Sequence, residues 1–319
     1  MQEGIHTMTQ TQVSTHDSEQ DPRNEHILIY VDGNLVPKQE AVVSVYDSGF
    51  MLGDGVWEGL RIHGGVFAFL EEHLDRLFEG AVAIDLDIGM SREALTQALY
   101  ETLRANDMTE EAHIRLMVTR GRKKAPFQDP RLSMFGSTVV MIPEFKQASE
   151  ETVRRGLRLH TVPVVRGLPM SQDPKLNSHS KLNCITALIH ALKAGADEAL
   201  MLDVHGFVNT TNSTNFFIAR KGEVWTSTGD YCMNGITRRK VIKLCRENDI
   251  PVFERNYSLV DSYGAEEAFV TGTFGGLTPV VEIDGRQIGE GTAGPLYWCL
   301  RGLYEELIAR HISTQEAAQ

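Results

Sequence analysis

The sequence predicts an α+β fold in two domains, and three observations support this prediction. The chain has 319 residues, a length typical of two domains or of one large domain. Helical and strand periodicities both occur from residue 27 onward. A polar stretch at residues 144–151 separates a first group of elements from a second. We therefore predict a disordered polar tail at 1–24, a small α+β domain at 25–146 and a large domain at 147–319.

The small domain begins with a predicted hairpin. Residues 27–31 are β-branched, aliphatic and aromatic, as in strands, and residues 32–34 (Asp-Gly-Asn) supply the turn before a second short strand at 35–36. Apolar periodicity then predicts helices at 75–84 and 91–104 and strands at 114–118 and 138–142.

The large domain opens with a predicted strand at 157–165. A helix is predicted next, because five apolar residues share one helical face, and Gly195 is predicted to end it. These residues are Leu182, Ile185, Leu188, Ile189 and Leu192. The remaining predicted elements are strands at 198–202, 216–218 and 224–225, a helix that begins at 235 and a last strand at 268–271.

Composition excludes several classes of protein. The net charge is −12, with no compensating basic block, so nucleic acid is not an expected partner. No apolar run approaches the roughly 20 residues of a membrane helix, and no signal peptide is visible at the N-terminus. Four cysteines occur without a CxxC pair, which favours reduced core thiols over disulfides or a zinc site. We expect a soluble cytoplasmic protein without a metal ion.

Three glycine-containing segments are candidates for binding a phosphate. Gly235, Ile236 and Thr237 begin a predicted helix, where free backbone N–H groups and a hydroxyl attract anions. Residues 271–276 (Thr-Gly-Thr-Phe-Gly-Gly) form a hydroxyl-bearing loop after a strand, and residues 53–61 end in Arg61. Each also has an ordinary interpretation: a threonine near a helix start, a plain loop and a surface ion pair.

Taken together, the motifs resemble those of class IV aminotransferases, the fold-type IV pyridoxal phosphate enzymes. This family includes branched-chain and D-amino acid aminotransferases, R-selective amine transaminases and aminodeoxychorismate lyase. The resemblance extends over about residues 27–308. The segments that carry it are 46–50 (Tyr-Asp-Ser-Gly-Phe), 53–61 (Gly-Asp-Gly-Val-Trp-Glu-Gly-Leu-Arg), 73–77 (His-Leu-Asp-Arg-Leu), 197–203 (Asp-Glu-Ala-Leu-Met-Leu-Asp), 215–217 (Asn-Phe-Phe), 235–238 (Gly-Ile-Thr-Arg) and 271–273 (Thr-Gly-Thr).

This resemblance implies a fold, a cofactor and a set of binding residues. The implied fold is a small α/β domain plus a larger β-barrel-like domain that binds the cofactor, pyridoxal 5′-phosphate, and the implied assembly is a homodimer. The phosphate is held in the family by residues that match Arg61, Gly235, Ile236, Thr237 and Thr273. The implied partners are a small-molecule amino donor and a 2-oxo acid.

Two positions depart from the family pattern. The position of the Schiff-base lysine is occupied by Asn177, whose amide cannot make that bond. Lys175 and Lys181 lie nearby, and Lys181 matches a tyrosine that reaches the cofactor in branched-chain enzymes. A small change in the loop could bring Lys175 into place, but Lys181 is the better candidate for the relocated base, with a solvated helix-start lysine as the alternative. His179 is a further acid–base candidate or an ordinary loop histidine.

The second departure is Thr210, at the position of the acid that keeps the cofactor's pyridine nitrogen protonated. Three hypotheses follow. The first is an aminotransferase-like enzyme that transfers an amino group between an amino acid or amine and a 2-oxo acid. The others are a lyase or hydrolase that lacks the covalent lysine, and a phosphate-ligand-binding protein. The substrate stays open: Leu52 replaces a tyrosine of several members, and Arg115, Arg120 and Arg122 are possible carboxylate-binding or surface residues.

Overall fold

The computed structural model describes residues 12–316, and the Glu316 side chain is not described. The chain divides into two compact units that are not contiguous segments. Within the described residues, the first unit comprises 18–148, 169–182 and 302–316, and the second comprises 12–17, 149–168 and 183–301. The predicted boundary at residue 147 does not anticipate that 169–182 and 302–316 group with the first unit.

An antiparallel six-stranded sheet, counted within the described residues, forms the first unit, in the order β2-β1-β6-β5-β3-β4. Its strands are β1 (Leu28–Val31), β2 (Asn34–Pro37), β3 (Gly55–His63), β4 (Val66–Phe67), β5 (Ala112–Thr119) and β6 (Thr138–Phe145). The β3–β5 pairing runs from Gly55 opposite Thr119 to Ile62 opposite Ala112. Alternation along β3 buries Val56, Leu60 and Ile62 and directs Trp57 and Arg61 to the opposite face.

Helices of the first unit pack against the buried face of this sheet. They are α2 (Leu70–Ala83) and α3 (Arg92–Ala105), and their apolar residues join the sheet in one core. The short helix α1 (Ser48–Leu52) buries Ser48, whereas its Phe50 and Leu52 are exposed. Helix α2 begins five residues before the predicted start at 75, because Leu70, His73, Leu74 and Leu77 form one buried face. Glu71 and Glu72 in its first turn also favour the positive end of the helix dipole.

The second unit is built on a sheet that closes into a barrel-like ring. Its strands are β7 (Leu157–Thr161), β8 (Glu198–Leu202), β9 (Val208–Thr211), β10 (Asn215–Arg220), β11 (Glu223–Thr226), β12 (Val252–Glu254), β13 (Glu267–Gly272), β14 (Gly276–Ile283) and β15 (Arg286–Gln287). The order β10-β13-β14-β7-β8-β9 returns to β10 through the pairing of Thr210 with Asn215. Strand β7 ends at Thr161, before the predicted 165, since Pro163 has no N–H for a ladder.

The helical segments that follow residue 149 are α4 (Glu150–Arg155), α5 (Pro169–Gln172), α6 (Leu182–Lys193), α7 (Ile236–Glu247), α8 (Leu259–Tyr263) and α9 (Pro295–Glu316). Helix α6 buries Ala187 and Ala191, whereas Leu182, Ile185 and Ile189 of the predicted apolar face are exposed. Hydrophobicity alone gave the helix correctly but not the side that packs inward, because small alanines permit the closest approach to the sheet.

Part of the predicted disordered tail is bound to the second unit. Residues 1–11 lie outside the described residues. The Val13 N–H donates to Asp197 Oδ1 (3.0 Å), and the Thr15 N–H and hydroxyl both donate to Glu198 Oε1 (2.9 and 2.5 Å). Disorder for residues 12–17 was therefore wrong: two buried carboxylates satisfy the backbone of this polar segment, and its one apolar residue, Val13, packs against the core of the second unit.

Three further sequence expectations concern membrane-spanning helices, metal-binding clusters and the cysteines. No helix among residues 12–316 has the length and apolar character needed to cross a membrane. The same residues contain no metal-binding group of three or more His, Cys, Asp or Glu side chains. All four cysteines are free, but only Cys232 and Cys245 are buried, so the expectation of four core thiols was wrong for Cys184 and Cys299.

Candidate active site

Residues 177–179 run beside the first residues of β3 in the first unit. The Trp57 N–H donates to the Asn177 carbonyl oxygen (3.0 Å), and the His179 N–H donates to the Gly55 carbonyl oxygen (3.0 Å). The Trp57 indole N–H donates to the Ser178 carbonyl oxygen (3.0 Å). These bonds fix the backbone of the segment and with it the positions from which its side chains project.

Asn177 is buried with half of its amide unsatisfied. Its Nδ2 donates to the Trp57 carbonyl oxygen at 2.6 Å, whereas Oδ1 has no hydrogen-bond partner among the described residues. An amide is not nucleophilic, so this side chain cannot replace a lysine in covalent catalysis. A buried acceptor without a partner costs about 1–3 kcal/mol, which indicates a place where a ligand donor binds.

The two lysines near Asn177 differ in environment. Lys175 is exposed, and its backbone N–H donates to Asp173 Oδ1 (2.9 Å). Lys181 is half-buried, and its Nζ lies 5.6 Å from the centre of the Trp57 ring. An ammonium at this distance from an indole has a cation–π interaction, which restricts where Nζ can go. Of the two, Lys181 is the one that the structure groups with Trp57.

His179 is held beside the same strand. Its Nε2 lies 3.1 Å from the Val56 carbonyl oxygen, so Nε2 carries the proton when this hydrogen bond forms. Burial lowers the pKa of His179, and the positive charges of Arg115 and Lys181 lower it further. At neutral pH His179 is therefore a neutral imidazole that donates to backbone.

Arg61 and Arg115 project from the open face of the first unit's sheet. The Arg61 guanidinium donates to the Lys146 carbonyl oxygen, and burial lowers the pKa of Arg61. The Arg115 guanidinium carbon stacks 3.9 Å from the centre of the Trp57 ring. Among the described residues, no acceptor is hydrogen-bonded to the Arg115 side chain. Burial also lowers the pKa of Arg115. A half-buried guanidinium in this state is suited to a carboxylate.

The other two predicted carboxylate-binding arginines are engaged elsewhere. Arg120 forms two hydrogen bonds with the Asp54 carboxylate, at 2.8 and 3.1 Å, and two more with backbone carbonyls of Ile84 and Asp85. Arg122 stacks on the Phe135 ring at 4.3 Å. Arg120 is a structural residue, and its assignment as a possible carboxylate-binding residue was wrong because all three guanidinium nitrogens already have partners.

In the second unit, the N-terminus of α7 contains three of the five predicted phosphate-binding residues. Gly235 is the N-cap, and Ile236 and Thr237 of the first turn are buried. A Cβ on Gly235 would lie 2.3 Å from Asn215 Oδ1, so only glycine fits without displacing that amide. The first N–H groups of a twelve-residue helix have no intrahelical acceptor, and with the helix dipole they favour an anion.

Three polar residues of neighbouring strands lie in one row of this unit's sheet. Thr210 on β9 is opposite Asn215 on β10, and Asn215 is opposite Thr271 on β13. The Thr210 hydroxyl donates to the Thr214 carbonyl oxygen (2.7 Å), whereas the buried Thr271 hydroxyl has no partner among the described residues. Thr273 lies two residues beyond Thr271, in the turn closed by Gly272 and Gly276.

Asn215 was missed as a site residue, whereas Trp57 and Thr271 were included only as members of the candidate phosphate-binding segments 53–61 and 271–276. Asn215 and Thr271 stand within motifs recognised in the sequence, but strand register was needed to place them beside Thr210. The hydroxyl of Thr271 and the N–H groups of α7 are donors suited to a phosphate. The row has a threonine, and no carboxylate, at position 210.

A family comparison agrees with this arrangement. The family model for class IV amino-transferases matches residues 55–283, which include Trp57, Asn177, Thr210, Thr237 and Thr273. The chain belongs to the class IV aminotransferases. The predicted α+β fold of fold type IV is thereby confirmed, and pyridoxal 5′-phosphate is the cofactor of this family.

Related proteins are aminotransferases of two kinds. Branched-chain-amino-acid aminotransferase-like protein 1 of Arabidopsis thaliana is 41% identical over 286 residues, which are 90% of this chain and 51% of that protein. This chain thus spans about half the length of that relative. D-alanine aminotransferase of Listeria monocytogenes is 31% identical over 298 residues, 91% of this chain and 99% of that enzyme.

A solved structure of a class IV aminotransferase has the same fold. The branched-chain aminotransferase of the archaeon Thermoproteus uzoniensis, solved with norvaline, has a TM-score of 0.80 and 30% identity, covering 89% of this chain and 95% of that one. These similarities support an aminotransferase-like enzyme. The residues at α7 fit the phosphate of the family cofactor, whereas Asn177 does not fit its covalent attachment.

Proposed function

We propose that the chain binds pyridoxal 5′-phosphate and transfers an amino group between an amino acid or amine and a 2-oxo acid. The observation that carries this proposal is the N-terminus of α7, where a Cβ at Gly235 would displace the Asn215 amide and the first turn is buried. When bound, the cofactor supplies the electron sink for chemistry at the substrate carbon. The phosphate-binding residues in this proposal are Arg61, Gly235, Ile236, Thr237 and Thr273.

Lys181 is the residue that we propose moves the proton. The Lys181 amine lies 5.6 Å from the centre of the Trp57 ring. The Asn177 amide, by contrast, cannot accept and release a proton. Asn177 instead offers Oδ1 as a buried acceptor to an N–H donor of the ligand. His179 donates to the Val56 carbonyl oxygen, so its role in this proposal is to orient the segment.

Arg115 is the proposed binding residue for a substrate carboxylate. Its stacking on Trp57 holds the guanidinium plane in place, and its donors have no acceptor among the described residues. A planar guanidinium binds a carboxylate through two parallel hydrogen bonds. This favours an amino acid and a 2-oxo acid over a simple amine as substrates.

A specific observation favours a second candidate function. Asn177 is hydrogen-bonded along β3 in the place of the lysine, and Thr210 donates to a backbone carbonyl in the place of the acid. A scaffold that keeps the phosphate donors and lacks both groups would suit a lyase or hydrolase, or a phosphate-ligand-binding protein. In that case the cofactor or another phosphorylated ligand binds without a covalent bond.

We also propose a homodimer and a cytoplasmic location. Six large apolar residues of the loop around α1 are exposed, more than is usual on a monomer surface. They are Val42, Val43, Val45, Tyr46, Phe50 and Leu52. A second copy of the chain is the proposed partner for this surface, and sedimentation of the purified protein tests it. The four free cysteines are consistent with a reducing compartment.

The test of the function is a labelling experiment. The protein is incubated with pyridoxal 5′-phosphate, reduced with borohydride and mapped by peptide mass spectrometry, alongside Lys181→Arg and the control Lys175→Arg. We expect the label on Lys181, its loss in Lys181→Arg and its retention in Lys175→Arg. Binding without a label on any lysine would contradict the relocated lysine and favour the second function.

A further inference from the structure

Arg166 is a buried arginine of the second unit whose side chain contacts a cysteine. Only 7% of the residue is exposed, and its backbone N–H donates to the Leu202 carbonyl oxygen (2.9 Å). Guanidinium Nη1 lies 3.0 Å from Cys184 Sγ. A buried guanidinium is normally paired with a carboxylate, because desolvation of an isolated charge is costly.

No carboxylate of the described residues forms an ion pair or hydrogen bond with Arg166. The Cys184 sulfur is the one acceptor that its side chain contacts among these residues, and its buried Nε has no partner there at all. A negative charge on this sulfur, or on a group attached to it, would pair with the guanidinium.

Cys184 also lies in the first turn of its helix. It is the third residue of the twelve-residue helix α6, and it is half-buried, so reagents can reach it. A helix N-terminus and a neighbouring arginine are two environments that favour the thiolate, which is the nucleophilic form of cysteine. Both act on the same sulfur here.

We propose that Cys184 is a reactive thiol and a site of oxidation by peroxides. The thiolate sulfur attacks one peroxide oxygen, an S–O bond forms, the O–O bond breaks and hydroxide leaves. Sulfur is oxidised by two electrons to a sulfenic acid, and the peroxide is reduced by two. Arg166 stabilises the thiolate, and its unpartnered Nε is an additional donor for the new oxygen. Cys184 follows Lys181 by three residues in the sequence.

The other cysteines provide internal controls. Cys299 is exposed and more accessible than Cys184, with no arginine hydrogen-bonded to its sulfur among the described residues. Burial raises the pKa of Cys245 to about 12, so this thiol stays protonated and unreactive in the folded protein. Exposure alone therefore predicts that Cys299 reacts first, whereas our proposal predicts that Cys184 does.

The experiment uses the full chain at pH 7 without reductant. A brief iodoacetamide pulse is quenched, the protein is unfolded, the remaining thiols are labelled with a second reagent, and each cysteine is quantified by mass spectrometry. We expect Cys184 to react about tenfold faster than Cys299, consistent with stabilisation of its thiolate. Equal or slower reaction of Cys184 than of Cys299 in the wild-type protein would overturn the proposal without any variant.

Two variants separate the charge of Arg166 from its packing. Arg166→Gln is expected to lower the Cys184 rate about tenfold, and Arg166→Lys to preserve most of it. An unchanged rate in a folded Arg166→Gln protein would contradict the role of the guanidinium. If Arg166→Gln unfolds, Cys245 also becomes labelled, and the comparison then rests on the wild-type protein and Arg166→Lys. With hydrogen peroxide, a dimedone adduct is expected at Cys184 and not in Cys184→Ser.

Discussion

The segment along β3 in the first unit and the N-terminus of α7 in the second unit match the family pattern to different extents. At α7, Gly235, Ile236 and Thr237 retain the phosphate motif, and Gly235 is enforced by contact with Asn215. Along β3, Asn177 stands at the position where we expect the family lysine, and its side chain donates a hydrogen bond to the Trp57 carbonyl oxygen. The comparison teaches that the anion-binding backbone is separable from the covalent chemistry, because the two depend on different elements.

The first prediction tests the anion-binding side of this comparison and has the largest expected effect. Thr237→Val preserves the shape of the side chain but removes a hydroxyl from the first turn of α7. We expect pyridoxal 5′-phosphate to bind about 10- to 100-fold more weakly, since a hydrogen bond to a charged group contributes about 1.5–3 kcal/mol. Fluorescence titration measures the Kd. Thr109→Val, on an exposed threonine of the first unit, is the matched control; equal affinity of Thr237→Val and Thr109→Val would exclude Thr237 from the site.

The second prediction reverses the departure at position 177. Asn177→Lys places an amine where the family has one, and we expect borohydride to fix pyridoxal 5′-phosphate to residue 177 and to produce visible absorbance before reduction. Asn183→Lys makes the same substitution at an exposed asparagine six residues further along and should give no specific label. If a folded Asn177→Lys protein binds the cofactor without a label at 177, then our alignment of this position with the family lysine is wrong.

Sequence reasoning was most successful where the information is local. The hairpin at β1 and β2, the helix start at Gly235 and four strands of the ring (β7, β8, β10 and β13) follow from turn residues and periodicity, and the family resemblance is confirmed. Strands β9 and β14 of the same ring were missed. The site is less predictable. Periodicity does not encode pairings between residues that are distant in the sequence. The hydrogen bond from Asn177 to Trp57 and the row that includes Thr271 and Thr210 both depend on such pairings. The binding of Thr15 to Glu198 was missed for the same reason.

A third prediction concerns the buried carboxylate of the second unit. Glu198 is bound by neutral donors, above all the hydroxyl and backbone N–H of Thr15. Thr15→Val is isosteric and removes one buried donor to this charge, so we expect the free energy of unfolding to fall by about 1.5–3 kcal/mol. Urea unfolding measures this change. Ser14→Ala, one residue earlier, is expected to change it by less than about 0.5 kcal/mol; similar values for the two variants would show that residues 12–17 do not contribute to stability through Glu198.

The corresponding carboxylate of the first unit, Glu58, has charged partners and gives the smallest expected effect, a dependence of stability on pH. Burial raises the pKa of Glu58, but Arg76 and the hydrogen bond from His73 (2.7 Å) outweigh it and hold the pKa below its usual value. Burial lowers the pKa of His73 despite the carboxylate beside it. The unfolded state therefore binds the proton more readily, and the stability due to neutral His73 is complete above its unfolded pKa of about 6.5 and declines as pH falls through that value.

From pH 7.5 to 5.5, His73 should therefore contribute a loss of about 1 kcal/mol in the free energy of unfolding, since one pKa unit corresponds to about 1.4 kcal/mol. His73→Gln keeps an N–H donor for Glu58 but does not titrate, so the loss should be smaller by that amount in urea unfolding at the two pH values. His26→Gln, at an exposed histidine, should behave like the wild type. A wild-type slope in His73→Gln would mean that the acid sensitivity lies elsewhere. In that case the charged partners of Glu58 would not make its unit more sensitive to pH than the neutral partners of Glu198 make theirs.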